Sequence, residues 1–416
     1  MPADIGRTET FMANMIHTTF WNYNAFGDYK PQMLRDWIEL GITTPILPEF
    51  VIGRDKNEDL TAILDDAESL GIQVILQINT LFLENYYNGA DSYRADVTYA
   101  VETFGHHPAV YGYYVGEEPS THSEEAYFEG MKIIKECHPE AHVYTNFGSI
   151  ERTERMLLKG KEDINDWVKK FKEYSGADII GFGVYSQLFR DKSGVFEAMS
   201  NIRTFVEAGK KAGVDVWVTP LSSAHDFYRA PTMDDFRWQI NVPVACGCKG
   251  VVWFRLYDKL IAFDYRESPI DEFGVKTTHF YDLARAQKKF NILYGKLFSR
   301  LSHIDSYGLG VSFGGYPYFT PGASELIEHA DCRSGMLSFF KDENGEDYIV
   351  VVNTDMENSY HMSLFFSEKV AKAEFVYNNG DKLMGCYERG DAKGAGKSSP
   401  MCLAPGHMEV IKITRA

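Results

Sequence analysis

Eight short apolar runs recur at nearly even spacing, and that recurrence limits the fold of this chain more than any other feature. The runs are Met15–Phe20, Thr43–Leu47, Gln73–Ile78, Val110–Val115, His142–Phe147, Asp178–Val184, Val214–Thr219 and Gly250–Leu256. Their starts lie about 28 to 37 residues apart, the length of one strand-plus-helix unit. Most are rich in Val, Ile, Tyr or Phe, as strands buried on both faces are. The segments between them carry helical stripes. Met33, Leu34, Trp37 and Ile38 share one face of Lys30–Leu40, with Pro31 in the first turn and Gly41 just past the end. Leu60, Ile63, Leu64 and Ala67 repeat the plan before Gly71, and Gly176 and Gly213 hold the same helix-to-strand position. Alternating helix and strand implies a parallel sheet, and eight units imply closure into an α/β fold, a (β/α)8 TIM barrel. A doubly wound open sheet would carry a glycine-rich phosphate loop after its first strand. Here that strand runs into His17-Thr-Thr-Phe-Trp-Asn-Tyr-Asn24.

Thr277–Leu293 is expected to be the last barrel helix, and the pattern changes from about Leu301. Met336–Phe340 and Tyr348–Asn353 flank Asn344-Gly345, a hairpin signal. Phe375–Tyr377 and Lys382–Met384 flank Asn378-Asn379-Gly380-Asp381, and Met408–Thr414 alternates as a final strand. Residues 1–300 are therefore expected to form the barrel, and 301–416 a small all-β sandwich.

Composition narrows the class of partner. The chain has 416 residues, 44% of them apolar, which is enough to pack. A net charge of −17 repels phosphate backbones and anionic lipid, which argues against nucleic-acid and membrane partners. No stretch reaches the apolar length of a membrane span. The cysteines (Cys137, Cys246, Cys248, Cys332, Cys386 and Cys402) lack zinc-site spacing and are read as free thiols. The opening MPADIGRTETFMANM has no apolar signal core. As given the chain is expected in the cytoplasm, with a processed secreted form left open.

Barrel enzymes work at the C-terminal ends of their strands. Reading off those positions gives His17, Trp21 and Asn22, then Glu49, Asn79, Glu117 and Glu118, and Asn146, Tyr185 and Gln187. Ser222, Ser223, His225 and Asp226 follow the seventh run; Trp253, Arg255, Tyr257 and Asp258 belong to the eighth. The set lacks the paired histidines of a zinc hydrolase and a strand-end lysine for a Schiff base. No metal or cofactor is expected. Carboxylates among amides and aromatic rings suit glycosidic-bond chemistry: one acid protonates the leaving oxygen, and a second carboxylate attacks or activates water. Rings pack on sugar C–H faces. For Glu117-Glu118-Pro119 the plainer alternative is a surface acidic pair at the next helix's N-terminus.

The segment His107-Pro-Ala-Val-Tyr-Gly-Tyr-Tyr-Val-Gly-Glu-Glu-Pro119 resembles the fourth strand of glycoside hydrolase clan A barrels, the beta-galactosidase and cellulase-like superfamily. That strand enters through His-Pro-x-Val and ends in Asn-Glu-Pro. Ser268-Pro-Ile-Asp-Glu-Phe-Gly-Val-Lys-Thr-Thr-His-Phe-Tyr281 resembles the segment after the eighth strand of beta-galactosidase-like members. The tail Leu403-Ala-Pro-Gly-His-Met-Glu-Val resembles their accessory β domain. The resemblance implies a glycoside hydrolase acting on carbohydrate, with Glu118 as acid/base. It implies Trp253 as the platform under the sugar and Tyr185 as the tyrosine that orients the nucleophile. Glu49, Asn79, Glu117, Asn146, Arg255 and Asp258 complete the expected substrate contacts.

Two departures stand out. Glu117 occupies the place of the clan's asparagine, which holds a sugar hydroxyl; two adjacent carboxylates repel and raise one pKa, which suits a general acid. The clan's nucleophile is a Glu ending the seventh strand, whereas this chain reads Val218-Thr-Pro-Leu-Ser-Ser-Ala-His-Asp226. Asp226 is the nearest carboxylate there, Glu49 a rival across the mouth, and Asp258 and Asp264 weaker ones; Asp226 could equally be an N-cap or loop ion pair. The missing Glu motivates an alternative, a non-catalytic carbohydrate-binding barrel. A lyase or isomerase is a third reading.

Overall fold

The structure, a computed structural model, describes residues 15–189, 194–258, 265–389 and 398–416. It divides into two compact units: Met1–Tyr185 with Thr204–Leu221 and Gly250–Asp258, and Ser186–Arg203 with Ser222–Lys249 and Lys259–Ala416.

Among the described residues the first unit holds seven parallel strands: β1 (His17–Phe20), β2 (Val74–Gln77), β3 (Val110–Glu117), β4 (His142–Phe147), β5 (Ile179–Gly183), β6 (Asp215–Thr219) and β7 (Gly250–Trp253). Their order is β1-β7-β6-β5-β4-β3-β2. The second apolar run is not a ladder strand. Pro45 and Pro48 offer no N–H, so the segment bonds its neighbours only piecewise. The Thr43 and Thr44 N–H groups donate to the Thr18 carbonyl at 3.0 and 3.1 Å, the Leu47 N–H donates to the Ile75 carbonyl at 3.0 Å, and the Phe50 N–H donates to the Gln77 carbonyl at 2.8 Å. Those bonds make residues 43–50 the eighth stave and join β1 to β2. The helix Pro31–Leu40 ends at Gly41 with φ 94°, and Ile164–Ser175 at Gly176 with φ 75°, the left-handed caps expected there.

Large rings fill the barrel. Trp21, Tyr114, Tyr144 and Trp217 pack with Ile46, Ile75, Ile179 and Val252. A Cβ on Gly250 would sit 2.5 Å from the Trp217 ring, and one on Gly181 2.4 Å from the Tyr144 hydroxyl, so these glycines make room for the rings. His17 opens β1 and so lies at the N-terminal end of the strands, away from the mouth. Its Nδ1 is 2.8 Å from Thr44 Oγ1, and its ring lies 4.4 Å from that of Tyr111 and 5.3 Å from that of Trp217. Burial, with help from the His142 charge, lowers its pKa to about 4.

Among the described residues the second unit contains the helices Met233–Ala245 and Thr278–Phe290 and nine strands: β8 (Ser302–Leu309), β9 (Ile327–Asp331), β10 (Gly335–Lys341), β11 (Asp347–Val352), β12 (Tyr360–Phe366), β13 (Val370–Tyr377), β14 (Lys382–Glu388), β15 (Ser398–Leu403) and β16 (Met408–Arg415). They pair antiparallel in two sheets, β14-β13-β16-β11-β10-β8 and β15-β12-β9. Leu337, Ile349, Val351 and Ile411 of the larger sheet share one core with Ile327, Leu364 and Leu403 of the smaller, so the two form a sandwich. Both expected hairpins are present, closing at Lys341–Asp347 and Tyr377–Lys382. β8, β9, β12 and β15 lie outside the runs read from the sequence; β8 (SHIDSYGL) and β9 (IEHAD) are too polar to show a period of two.

His17 sets an acid limit on this fold. Its folded pKa of about 4 lies below the unfolded value of 6.5, so the unfolded chain binds the proton first. The stability it contributes is complete above pH 6.5 and is lost, to a total of about 3 kcal/mol, as pH falls toward 4. Urea unfolding at pH 7 and pH 4.5 checks this: His17→Asn should lose markedly less stability on acidification than the parent, and equal losses would assign the acid sensitivity elsewhere.

Candidate active site

The C-terminal ends of β1, β2, β3 and the eighth stave line one side of the barrel mouth around a cavity of about 400 Å³. Trp21, Asn22 and Tyr23 follow β1, Glu49 lies on the eighth stave, and Gln77 ends β2. Phe82 and Glu84 come from the turn after β2, Tyr114 and Glu117 from β3, and Tyr127 from the helix Glu124–Cys137.

An irregularity in β3 decides which acid of the Glu117-Glu118 pair faces this cavity. Tyr114 sits opposite Tyr144 and Glu117 opposite Asn146, so β3 advances three residues while β4 advances two. Side chains alternate faces along a strand, and one extra residue exchanges them. Glu117, not Glu118, thereby joins Tyr114 in the cavity wall. Gly116 takes up the bulge at φ 148°, where a Cβ would lie 3.0 Å from the Tyr127 hydroxyl. That hydroxyl donates to the Glu117 carbonyl at 2.8 Å, and the Glu118 N–H donates to the Asn146 carbonyl. The Glu118 carboxylate is hydrogen-bonded by the Arg152 guanidinium.

Glu117 is exposed as a residue, yet the protein packed around its carboxyl removes enough water to raise its pKa above the ordinary carboxylate value. The Glu118 charge raises it further, and Arg152 opposes the shift. A carboxyl so placed keeps its proton to higher pH than a free one, as a general acid requires. The carboxylates of Glu49 and Glu84 make no hydrogen bond or ion pair among the described residues.

The other expected site residues are not among those lining the cavity. Asn146 is buried, its Oδ1 accepting from the Tyr144 and Thr219 hydroxyls at 3.1 Å each, which ties β4 to β6. Asn79 accepts from the Ile52 N–H at 3.0 Å and anchors that loop. Trp253 is fully buried, and its carbonyl accepts from the Trp21 N–H. Tyr185 stacks on Phe254 with centroids 5.8 Å apart. Arg255 is buried, donates through Nε to the Tyr257 carbonyl at 3.0 Å, and lays its guanidinium 4.7 Å from the centre of the Tyr23 ring. Asp258 is partly buried at the end of this unit. Asp226 belongs to the second unit, exposed at φ 52° in a tight turn where the Tyr228 N–H donates to the His225 carbonyl at 2.8 Å. Asp264 lies outside the described residues.

Several cavity residues escaped the sequence. Gln77 and Tyr114 sit at or near strand ends and were within reach of that rule. Glu84 lies in a short 3-10 turn, Leu83–Asn88, which has no periodic signal, and Tyr127 reaches the mouth from a helix.

This is the (β/α)8 barrel with a β-sandwich that glycoside hydrolases of known structure use. One such structure, described as a glycoside hydrolase, superposes with a TM-score of 0.57 at 13% identity over 96% of this chain and 92% of its own. A family 39 glycoside hydrolase from Bacteroides cellulosilyticus WH2 gives 0.53 at 10% identity, over 97% and 82%. The beta-galactosidase of the psychrophilic Marinomonas ef1 gives 0.50 at 12% identity over 66% of this chain, which spans only 60% of that enzyme. No protein-family model and no curated protein matches the sequence. No helix among the described residues is long and apolar enough to cross a membrane.

The bulge should depend on Gly116. Gly116→Ala forces a Cβ into a backbone conformation that favours glycine and against the Tyr127 hydroxyl, and should destabilise the protein by about 1–3 kcal/mol. Denaturant unfolding measures this; an unchanged midpoint would show that the bulge tolerates a side chain.

Proposed function

We propose that the protein is a glycoside hydrolase whose acidic pair Glu117-Glu118 supplies the general acid/base. The observation that carries this reading is that Glu117, with its raised pKa, and Glu49 line one aromatic-walled cavity at the C-terminal ends of the barrel strands. Glu117 is the proton donor to the leaving oxygen, in preference to the Glu118 that the sequence resemblance favours. Glu118, paired with Arg152, lies beside Glu117, and its charge adds to the burial that raises the Glu117 pKa. Glu49 is the second carboxylate, in preference to Asp226, because it shares the cavity with Glu117. Tyr23 and Phe82 offer rings to the sugar. Residues 1–300 carry the reaction, with 301–416 as an accessory domain.

A second reading is a carbohydrate-binding barrel without turnover. It is favoured by the end of β6, Thr219-Pro220-Leu221, which has no carboxylate where the clan places its nucleophile. Binding of sugars with no hydrolysis of any glycoside would decide for it.

Leaving-group dependence tests the acid. Glu117→Gln should lower kcat/KM on an alkyl glycoside by about 10²–10⁴-fold, and much less on a dinitrophenyl glycoside, whose leaving oxygen needs no proton. Glu118→Gln should cost less on both. If Glu118→Gln shows the leaving-group split and Glu117→Gln does not, the roles are exchanged.

A further inference from the structure

The cavity holds more acid than hydrolysis needs. Glycosidic cleavage uses two carboxylates, and this wall has three: Glu49, Glu84 and Glu117. Among the described residues, no Lys, Arg or His lines it. Three arginines of this unit are engaged, and the charge of one of them, Arg54, also acts on Glu49. Arg54 donates to Asp55 at 3.0 and 2.9 Å, Arg152 pairs with Glu118, and Arg255 lies against the Tyr23 ring while bonding the Tyr257 carbonyl. Glu84 and Glu49 make no ion pair among the described residues. Glu84 lies near enough to Tyr127, beside Glu117, for its charge to act on that hydroxyl.

Unpaired carboxylates in a partly enclosed site make a negative field that a charged ligand meets before any direct contact. A uronic acid or a sulfated sugar would enter against that field. A neutral sugar would offer hydroxyls but no opposite charge to Glu84, which is exposed to solvent. A protonated amine would pair with it and would also suit the faces of Tyr23 and Phe82, since rings attract cations. This deepens the reading above and rests on the cavity being the sugar site. We infer that the cavity selects a sugar bearing a free amine, an amino sugar or an oligomer of amino sugars, with Glu84 as the carboxylate that receives the ammonium.

Calorimetric titration at pH 6 tests this with matched monosaccharides: glucosamine, galactosamine and mannosamine against their neutral, N-acetylated and uronate counterparts. The amine of at least one series should bind at least tenfold more tightly than its neutral and N-acetylated forms, with the uronate weakest. Raising the salt concentration should narrow the gap. In Glu84→Gln the preference should fall to within about twofold while the neutral sugar still binds, which also reports that the variant is folded. Equal or tighter binding of the neutral sugars, no binding of any amine, or a preference that survives in Glu84→Gln overturns the inference. Turnover assays on neutral glycosides separate this from the glycosidase reading. Hydrolysis without an amine preference overturns the substrate class alone, and an amine preference without hydrolysis of any glycoside overturns catalysis alone.

Discussion

One extra residue in β3 is the constraint on which the candidate site depends. Between Tyr114 and Glu117 the strand takes three steps to its neighbour's two, and the side chains beyond exchange faces. The exchange puts the Glu117 carboxyl in the cavity wall and turns Glu118 to Arg152. It also sets two carboxylates side by side in different surroundings, one crowded by protein and one hydrogen-bonded by a guanidinium. The crowded acid, Glu117, is the one whose pKa is raised. The bulge is held from both sides: the Tyr127 hydroxyl bonds the Glu117 carbonyl and the Asn146 carbonyl takes the Glu118 N–H.

That local geometry needs a rigid frame, and the frame is unusually aromatic. Trp21 meets Tyr114 edge-on at 4.8 Å, and Tyr144 lies 5.4 Å from Trp217. Rings of this size leave a packed interior rather than a pore, and glycines at 181 and 250 give them space. Asn146 links this core to the site: its side chain ties β4 to β6 while its backbone receives Glu118. A residue expected to touch substrate thus also bonds the backbone of the acidic pair.

The acidity of the chain acquires a local meaning in the cavity. A net charge of −17 argues only against anionic partners when spread over a surface. Among the described residues three glutamates and no basic residue line the cavity, and the proposed amine preference rests on that concentration.

By itself the sequence determined the architecture and the chemical class of the mouth. The spacing of the apolar runs counts the barrel strands, the helix-to-strand glycines place the caps, and the hairpin signals mark the sandwich, because all of these are local in the chain. The acidic pair at the end of the fourth run is likewise local, as are Trp21, Asn22 and Glu49. What the tertiary structure alone decided is which side chains share a space. Alternation along an unbroken strand gave no reason to choose Glu117 over Glu118; the choice needs the register of β3 against β4, a relation between segments about 30 residues apart. Trp253 reads as a platform at its strand end and is fully buried because its neighbours close over it. Glu84 and Tyr127 reach the cavity from a short turn and a helix, where no periodicity marks them. The Thr43–Leu47 run reads as a strand and serves as one only through bonds its prolines allow. Composition and period are properties of a segment, whereas a site is a property of the packing between segments.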